Sequence, residues 1–192
     1  MQGISLFKIL EYTAALTGLM GVAFTIRRSI ISWYFGFISV LIYTYIFYQS
    51  KLYSDTLLQI FYISFTVYGW YQWKYVKMEN NSQTIVIRKA TTQDYKKGIF
   101  FSSIFSLLLV FIFSQTDAEN IYFDAILTSA SLWATYWMAK KIIDHWILWI
   151  IIDSAYVILY LDKQLPVTAL LYAIFVGMVI KGFIDWRKDL HA

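Results

Sequence analysis

The 192-residue sequence predicts an all-α membrane protein with seven transmembrane helices. Three observations carry that prediction. The chain is 59% hydrophobic and 15% charged, with mean hydropathy +0.57. A soluble domain has about 45–50% apolar and about 25% charged residues, so an ordinary water-soluble enzyme is excluded. So is a disordered chain, because apolar surface is abundant. The apolar residues fall into seven runs of about the 17–25 residues that a spanning helix needs. The basic residues between these runs fall mostly on one side.

Taken in order, the spans are Ile9–Ile26, Trp33–Gln49, Thr56–Trp73, Gly98–Ser114, Ile121–Ala139, Trp146–Leu161 and Pro166–Ile184. None alternates as the strand of a membrane barrel does, and one proline and eight glycines suit no loop-rich β fold. The first span lacks the basic n-region and the small-residue cleavage site of a signal peptide. Between the third and fourth spans lies the longest loop, Lys74–Lys97, with Asn80, Asn81 and Ser82 as turn-formers. Its bases suit attraction to the inner leaflet. Seven spans place Arg27, Arg28, Lys74, Lys77, Arg88, Lys89, Lys96, Lys97, Lys140, Lys141, Lys181, Arg187 and Lys188 on one side, and only Lys8, Lys51 and Lys163 on the other. The second side also carries Asp117 and Glu119. By the positive-inside rule the first side is cytoplasmic, the N-terminus outside and the C-terminus inside. Charges placed between apolar runs give no nucleic-acid face. With no cysteine, the chain has no disulfide, thiolate metal site or cysteine nucleophile; no metal and no cofactor are expected.

A shift of 113 residues superposes the two halves. Trp33 falls on Trp146, Tyr43 on Tyr156, Leu52 on Leu165, Leu57 and Leu58 on Leu170 and Leu171, Gly69 on Gly182, and Trp73 on Trp186. Spans two and three thus match spans six and seven in the same orientation. The expected architecture is a 3+1+3, SWEET-like arrangement of two parallel three-helix bundles. Residues 1–73 form the first bundle, 74–97 the cytoplasmic loop, 98–115 the linker helix, 116–184 the second bundle and 185–192 a cytoplasmic tail. Parallel repeats of this kind mark transporters that bind substrate near the midplane.

Charge inside a span costs at least about 2.5–3.5 kcal/mol on insertion scales and so marks a substrate path. The sixth span contains one, Asp153. Trp146, Trp149, Asp153 and Tyr156 are spaced three, four and three residues apart and share one helix face. Two indoles, a carboxylate and a phenol suit a flat, cationic, hydroxylated ligand. The plain alternatives are an interfacial role for Trp146, packing for Trp149 and, for Asp153, a structural hydrogen bond to Ser39 or Thr44. In the third span Gln59 and Tyr62 share a face, and an amide suits a carboxamide or a ribose; helix–helix adhesion is the alternative. Asp124 and Thr128 of the fifth span are secondary candidates.

At these residues the chain resembles the PnuC-type vitamin transporters, the nicotinamide riboside carriers. WILWIIID, Trp146 to Asp153, is similar to their motif of two tryptophans three apart followed four residues on by Asn or Asp. KLYSDTLLQIFYISFTVYGWYQWK, Lys51 to Lys74, and YFDAILTSASLWATYWMAKK also fit, so the resemblance covers about residues 30–188. It implies a three-plus-one-plus-three bundle in a bacterial inner membrane, a homotrimer, and facilitated diffusion of nicotinamide riboside trapped by a cytoplasmic kinase. It implies substrate binding by Trp146, Trp149 and Asp153, and secondarily by Gln59 and Tyr62; Tyr156 joins them by its place on the same helix face. Related branches carry thiamine or riboflavin; Asp153 suits a pyridinium or thiazolium cation better than neutral riboflavin.

Other classes fare worse. No G-x-x-x-x-G-K-[ST] motif is present for an ATP-driven pump, and no G-x-S-x-G or H-E-x-x-H for a hydrolase. Ion coupling would want more intramembrane carboxylates than Asp153 and Asp124. A retinal photoreceptor would want its lysine mid-helix in span seven, where Lys181 lies near the cytoplasmic end, and a carboxylate in span three.

Overall fold

The computed structural model describes residues 6–50, 53–75, 87–115, 121–162, 164 and 166–190. Among these there are seven helices: α1 Leu6–Ile26, α2 Ile31–Gln49, α3 Tyr53–Tyr75, α4 Thr92–Phe113, α5 Ile121–Ala139, α6 His145–Asp162 and α7 Pro166–Asp189. The loop turn-formers Asn80, Asn81 and Ser82, the acids Asp117 and Glu119, Lys51, Lys77, Lys163 and the Leu52–Leu165 pair lie outside the described residues. The chain divides into two compact units, residues 1–76 and 77–192. Helix α4 thus belongs to the second unit.

Five helices, α1, α2, α4, α6 and α7, are long and apolar enough to cross a membrane. The other two are diluted by polar residues. On α3 these include Gln59, Ser64, Thr66 and Gln72. On α5 they include Thr128, Ser129, Ser131 and Thr135, all four buried. Helix α5 is the centre of the second unit, touching both α4 and α6, so its small polar side chains face protein rather than lipid. The Ser106 hydroxyl donates to Ser129 Oγ at 3.0 Å, joining α4 to α5, as small polar residues do between membrane helices. Hydroxyls elsewhere are satisfied one turn back: Thr13, Thr25 and Thr66 donate to the carbonyls of Ile9, Gly21 and Tyr62 at 2.7, 2.9 and 2.7 Å. The outward surface is apolar: on α4, Ile99, Phe100, Leu107 and Phe111 are 68–70% exposed. A surface of this kind requires hydrocarbon as solvent.

Two helices run past the apolar spans. Helix α4 begins at Thr92 rather than Gly98, because Thr91 and Asp94 form a reciprocal capping box. Helix α7 continues beyond Ile184 to Asp189. Asp185 there accepts from Lys181 and Lys188 at 2.6 and 3.0 Å, which supports the last turns.

The repeat is visible inside each unit. In the first, Trp33 meets Trp73 edge to face at 5.5 Å and 85°; in the second, Trp146 meets Trp186 at 5.5 Å and 87°. Each α2-type tryptophan lies where a side chain at Gly69 or Gly182 would otherwise stand. The turns ending α1 and α5 also match. The Arg28 and Ser29 N–H groups donate to Thr25 and Phe24 carbonyls at 2.9 and 3.0 Å; those of Lys141 and Ile142 donate to Met138 and Trp137, both at 3.0 Å. Both are Schellman turns. Both place a basic residue in the left-handed region, Arg28 at φ 57° and Lys141 at φ 56°.

Candidate functional site

The residues of the α6 stripe have different surroundings in the second unit. Trp146 is 1% exposed, held by Gly182 and Trp186 of α7 and by His145, whose ring centre is 4.4 Å away. Its counterpart Trp33 is held the same way by Gly69 and Trp73. Trp146 therefore fills a packing niche common to both repeats, and its indole contacts no open space. His145 is fully buried too, with Nδ1 2.7 Å from the Ile142 carbonyl.

Trp149 is different. It is half-buried and packs with Tyr156 against Leu127, Ala134 and Ile152. Its counterpart in the first unit is Gly36. There α1 and α2 meet backbone to backbone: a Cβ on Gly21 would lie 3.5 Å from the Gly36 nitrogen. An indole in place of the second glycine forbids such an approach, and α5 packs less closely on α6 than α1 on α2. Trp149 acts as a wedge between α5 and α6.

Asp153 stands one turn further along. It is 5% exposed, and its counterpart is Val40. No hydrogen-bond donor reaches its carboxylate among the described residues. The two donors that a structural role would use are engaged elsewhere, Ser39 on the Ala14 carbonyl at 2.8 Å and Thr44 on the Val40 carbonyl at 2.7 Å. A carboxylate buried in a membrane helix without a protein partner is held at large cost.

Beyond Asp153, Tyr156 lies 4.9 Å from Tyr172 and 6.0 Å from Tyr160, and Tyr160 lies 5.3 Å from Tyr172. Phe175 closes the cluster 6.0 Å from Tyr172. Sequence reasoning missed Tyr172 and Phe175, although the repeat contains the signal: they are the counterparts of Gln59 and Tyr62. In the first unit Gln59 and Tyr62 are both half-buried on α3, one turn apart. Asp124 is half-buried in the first turn of α5, where its charge complements the helix dipole. Thr128 is buried one turn on. The described residues contain no group of three or more His, Asp or Glu able to hold a metal.

The chain has relatives among known proteins. The chain is 23% identical to the nicotinamide riboside transporter PnuC of Escherichia coli (strain K12), over 92% of this chain and 84% of that protein. It is 24% identical to the riboflavin/roseoflavin transporter RibM of Streptomyces davaonensis, over 90% and 83%. A crystal structure of the vitamin B3 transporter PnuC superposes with TM-score 0.74 at 22% identity, covering 95% of this chain and 82% of that one, which establishes the fold. The profile of nicotinamide mononucleotide transporters matches residues 8–188. With that match running through all seven helices, the chain belongs to the nicotinamide mononucleotide transporter family.

Proposed function

We propose that the protein carries nicotinamide riboside across the bacterial inner membrane by facilitated diffusion, as a carrier and not an enzyme. One observation carries the proposal: Asp153, buried in a membrane helix, has no protein partner among the described residues and stands between an indole and a phenol of its own helix face. A pyridinium ring supplies the missing positive charge and stacks on Trp149, while ribose hydroxyls supply donors to the carboxylate. Trp149, Asp153 and Tyr156 contact substrate. Trp146 braces this face against α7; Gln59 and Tyr62 of α3 are further candidate substrate contacts. Asp124 and Thr128 stand as secondary contacts. Phosphorylated forms are rejected, since their charge would meet a buried carboxylate.

The matching tryptophan–glycine niches and Schellman turns support two parallel three-helix repeats with α4 as the linker, a 3+1+3 arrangement. Alternating access then follows, with the repeats as the moving parts. The distribution of basic residues supports an N-terminus outside and a C-terminus in the cytoplasm. A cytoplasmic kinase traps the vitamin, and the working unit is a homotrimer. A second ligand class deserves one arm of the test because a relative is named a riboflavin transporter; Asp153 favours the cation over that neutral ring.

The experiment is a tryptophan-fluorescence titration of purified protein with nicotinamide riboside, thiamine, riboflavin and nicotinamide mononucleotide. Quenching by the riboside alone, lost in Asp153→Asn, is the expected result. Quenching by thiamine or riboflavin alone changes the vitamin and keeps the site. Undiminished riboside affinity in Asp153→Asn removes Asp153 from it.

A further inference from the structure

Asp144 immediately precedes α6, where an aspartate ordinarily turns its carboxylate onto the free N–H groups of its own helix. Its main-chain carbonyl does open α6, accepting from Ile147 and Leu148 at 3.1 and 3.2 Å. Its side chain goes elsewhere. Oδ2 accepts from the Ala90 N–H at 2.7 Å, and Oδ1 accepts from the Tyr95 hydroxyl at 2.8 Å. Ala90 lies two residues before α4 and Tyr95 in its first turn.

The main chain joins the same two segments. Arg88 N–H donates to the Lys141 carbonyl at 3.2 Å, and Ile143 N–H donates to the Arg88 carbonyl at 2.9 Å, a parallel bridge between Arg88 and Ile142. Ile87, Ile142 and Ile143 are buried beneath it. A second carboxylate stiffens the segment: Asp94 accepts from the Arg88 guanidinium at 2.7 and 3.3 Å, and from the Thr91 N–H and hydroxyl at 2.8 Å each.

The first repeat shows what this clip is not for. Its turn has the same Schellman geometry, yet the counterpart of Asp144 is Ile31. The carboxylate is therefore required neither to close the turn nor to begin the following helix. It appears only in the repeat to which α4 is attached.

We infer that Asp144 is a positioning residue of the transport cycle. It fastens the segment entering α4 to the turn entering α6, so that α4 travels with the helix carrying Trp149 and Asp153. This rests on the transport reading above.

The chain has no cysteine, so one disulfide can be introduced cleanly. Arg88→Cys with Ile142→Cys joins the bridged pair, and residues paired across a bridge suit the roughly 4.4–6.8 Å Cα separation of a disulfide. The oxidised and reduced double variant should take up riboside into proteoliposomes at the same rate. A disulfide that preserves binding and stops uptake overturns the inference, because the clip would then have to open. Asp144→Asn should lower maximal uptake about tenfold, the effect of one weakened charge-assisted hydrogen bond, with KM and the fluorescence Kd unchanged. Tyr95→Phe, a milder change for folding, should show a smaller fall of the same kind. Wild-type uptake in both variants overturns the inference. Amide hydrogen exchange needs no substrate: Arg88, Ala90 and Ile143 should exchange faster in Asp144→Asn while α7 does not change, and unchanged exchange at these three amides also overturns it. Absence of riboside uptake by wild-type protein overturns the transport reading instead, and the exchange result still decides the clip.

Discussion

Gly182→Ala tests the niche that holds Trp146. A Cβ there would lie 2.6, 2.7 and 2.8 Å from Cη2, Cζ2 and Cζ3 of the Trp146 ring. These are separations that real Cβ contacts do not show, and the obstacle is a rigid ring fully enclosed by His145 and Trp186. Overpacking of this kind costs about 1–3 kcal/mol. Against it stands the gain of about 1 kcal/mol for replacing an interior helical glycine by alanine. Gly177→Ala removes that ambiguity. It lies on the same helix and has nothing within 4 Å of its would-be Cβ, so it has the propensity gain alone. The two variants should differ in stability by about 1–3 kcal/mol, the overpacking term by itself. Thermal unfolding in detergent, followed by tryptophan fluorescence, measures the difference. Gly69→Ala should behave as Gly182→Ala does, because Trp33 occupies its niche in the same way. Equal stability of Gly177→Ala and Gly182→Ala would refute the packing role of Trp146 and return that indole to the ligand.

Two further predictions concern the turn that ends α5. Burial lowers the Lys141 ammonium from 10.5 to about 8. Between about pH 8 and 10.5 the unfolded chain then holds the proton that the folded chain has released, so stability contributed by this residue rises with pH. The wild-type midpoint should climb relative to Lys141→Gln across that window, and a constant difference would count against the lowered pKa. Arg28→Gly and Lys141→Gly should each stabilise by about 1 kcal/mol by relieving a left-handed backbone, read as raised unfolding midpoints; loss of stability in both would mean that side-chain contacts outweigh the backbone strain.

The seven helices were legible because hydrocarbon solvent imposes long apolar runs, and five of them are apolar enough to cross a membrane. The predicted bounds of α2 and α6 lie within two residues of those observed. The start of α4 was not, because Lys96 and Lys97 interrupt the apolar signal; the Thr91–Asp94 cap, a local pattern, was the available sign. Helix α7 outran its apolar run because ion pairs carry its last turns. Periodicity placed Trp146 and Trp149 on one face; in the fold Trp146 packs on α7 and Trp149 against α5. It had no means of dividing packing from binding, since the deciding residue for Trp146 is Gly182 on another helix. The fate of Asp144 was equally hidden. Its position before α6 suggests a local cap, and only the fold brings Ala90 and Tyr95 within reach.

The two α6 indoles therefore separate by experiment. Trp146→Ala empties a niche enclosed on all sides and should lose about the 3–5 kcal/mol typical of buried tryptophan truncation. Trp33→Ala should lose a similar amount, because the first unit builds the same niche around it. Trp149→Ala should lose less stability. Its ring is half-buried, and Gly36 at the equivalent place shows that this helix pair packs well with no side chain there. What it should lose is binding, by at least the ~0.5–2 kcal/mol of a cation–π contact. It should lose more where α5 closes onto α6 and covers Asp153, as α1 closes onto α2 through Gly21 and Gly36. The measurement is unfolding stability and riboside Kd for each variant. If Trp149→Ala unfolds as easily as Trp146→Ala while retaining affinity, the wedge is ordinary core. The departures of the second repeat from the first, at Gly36 and Val40, would then no longer mark the substrate site.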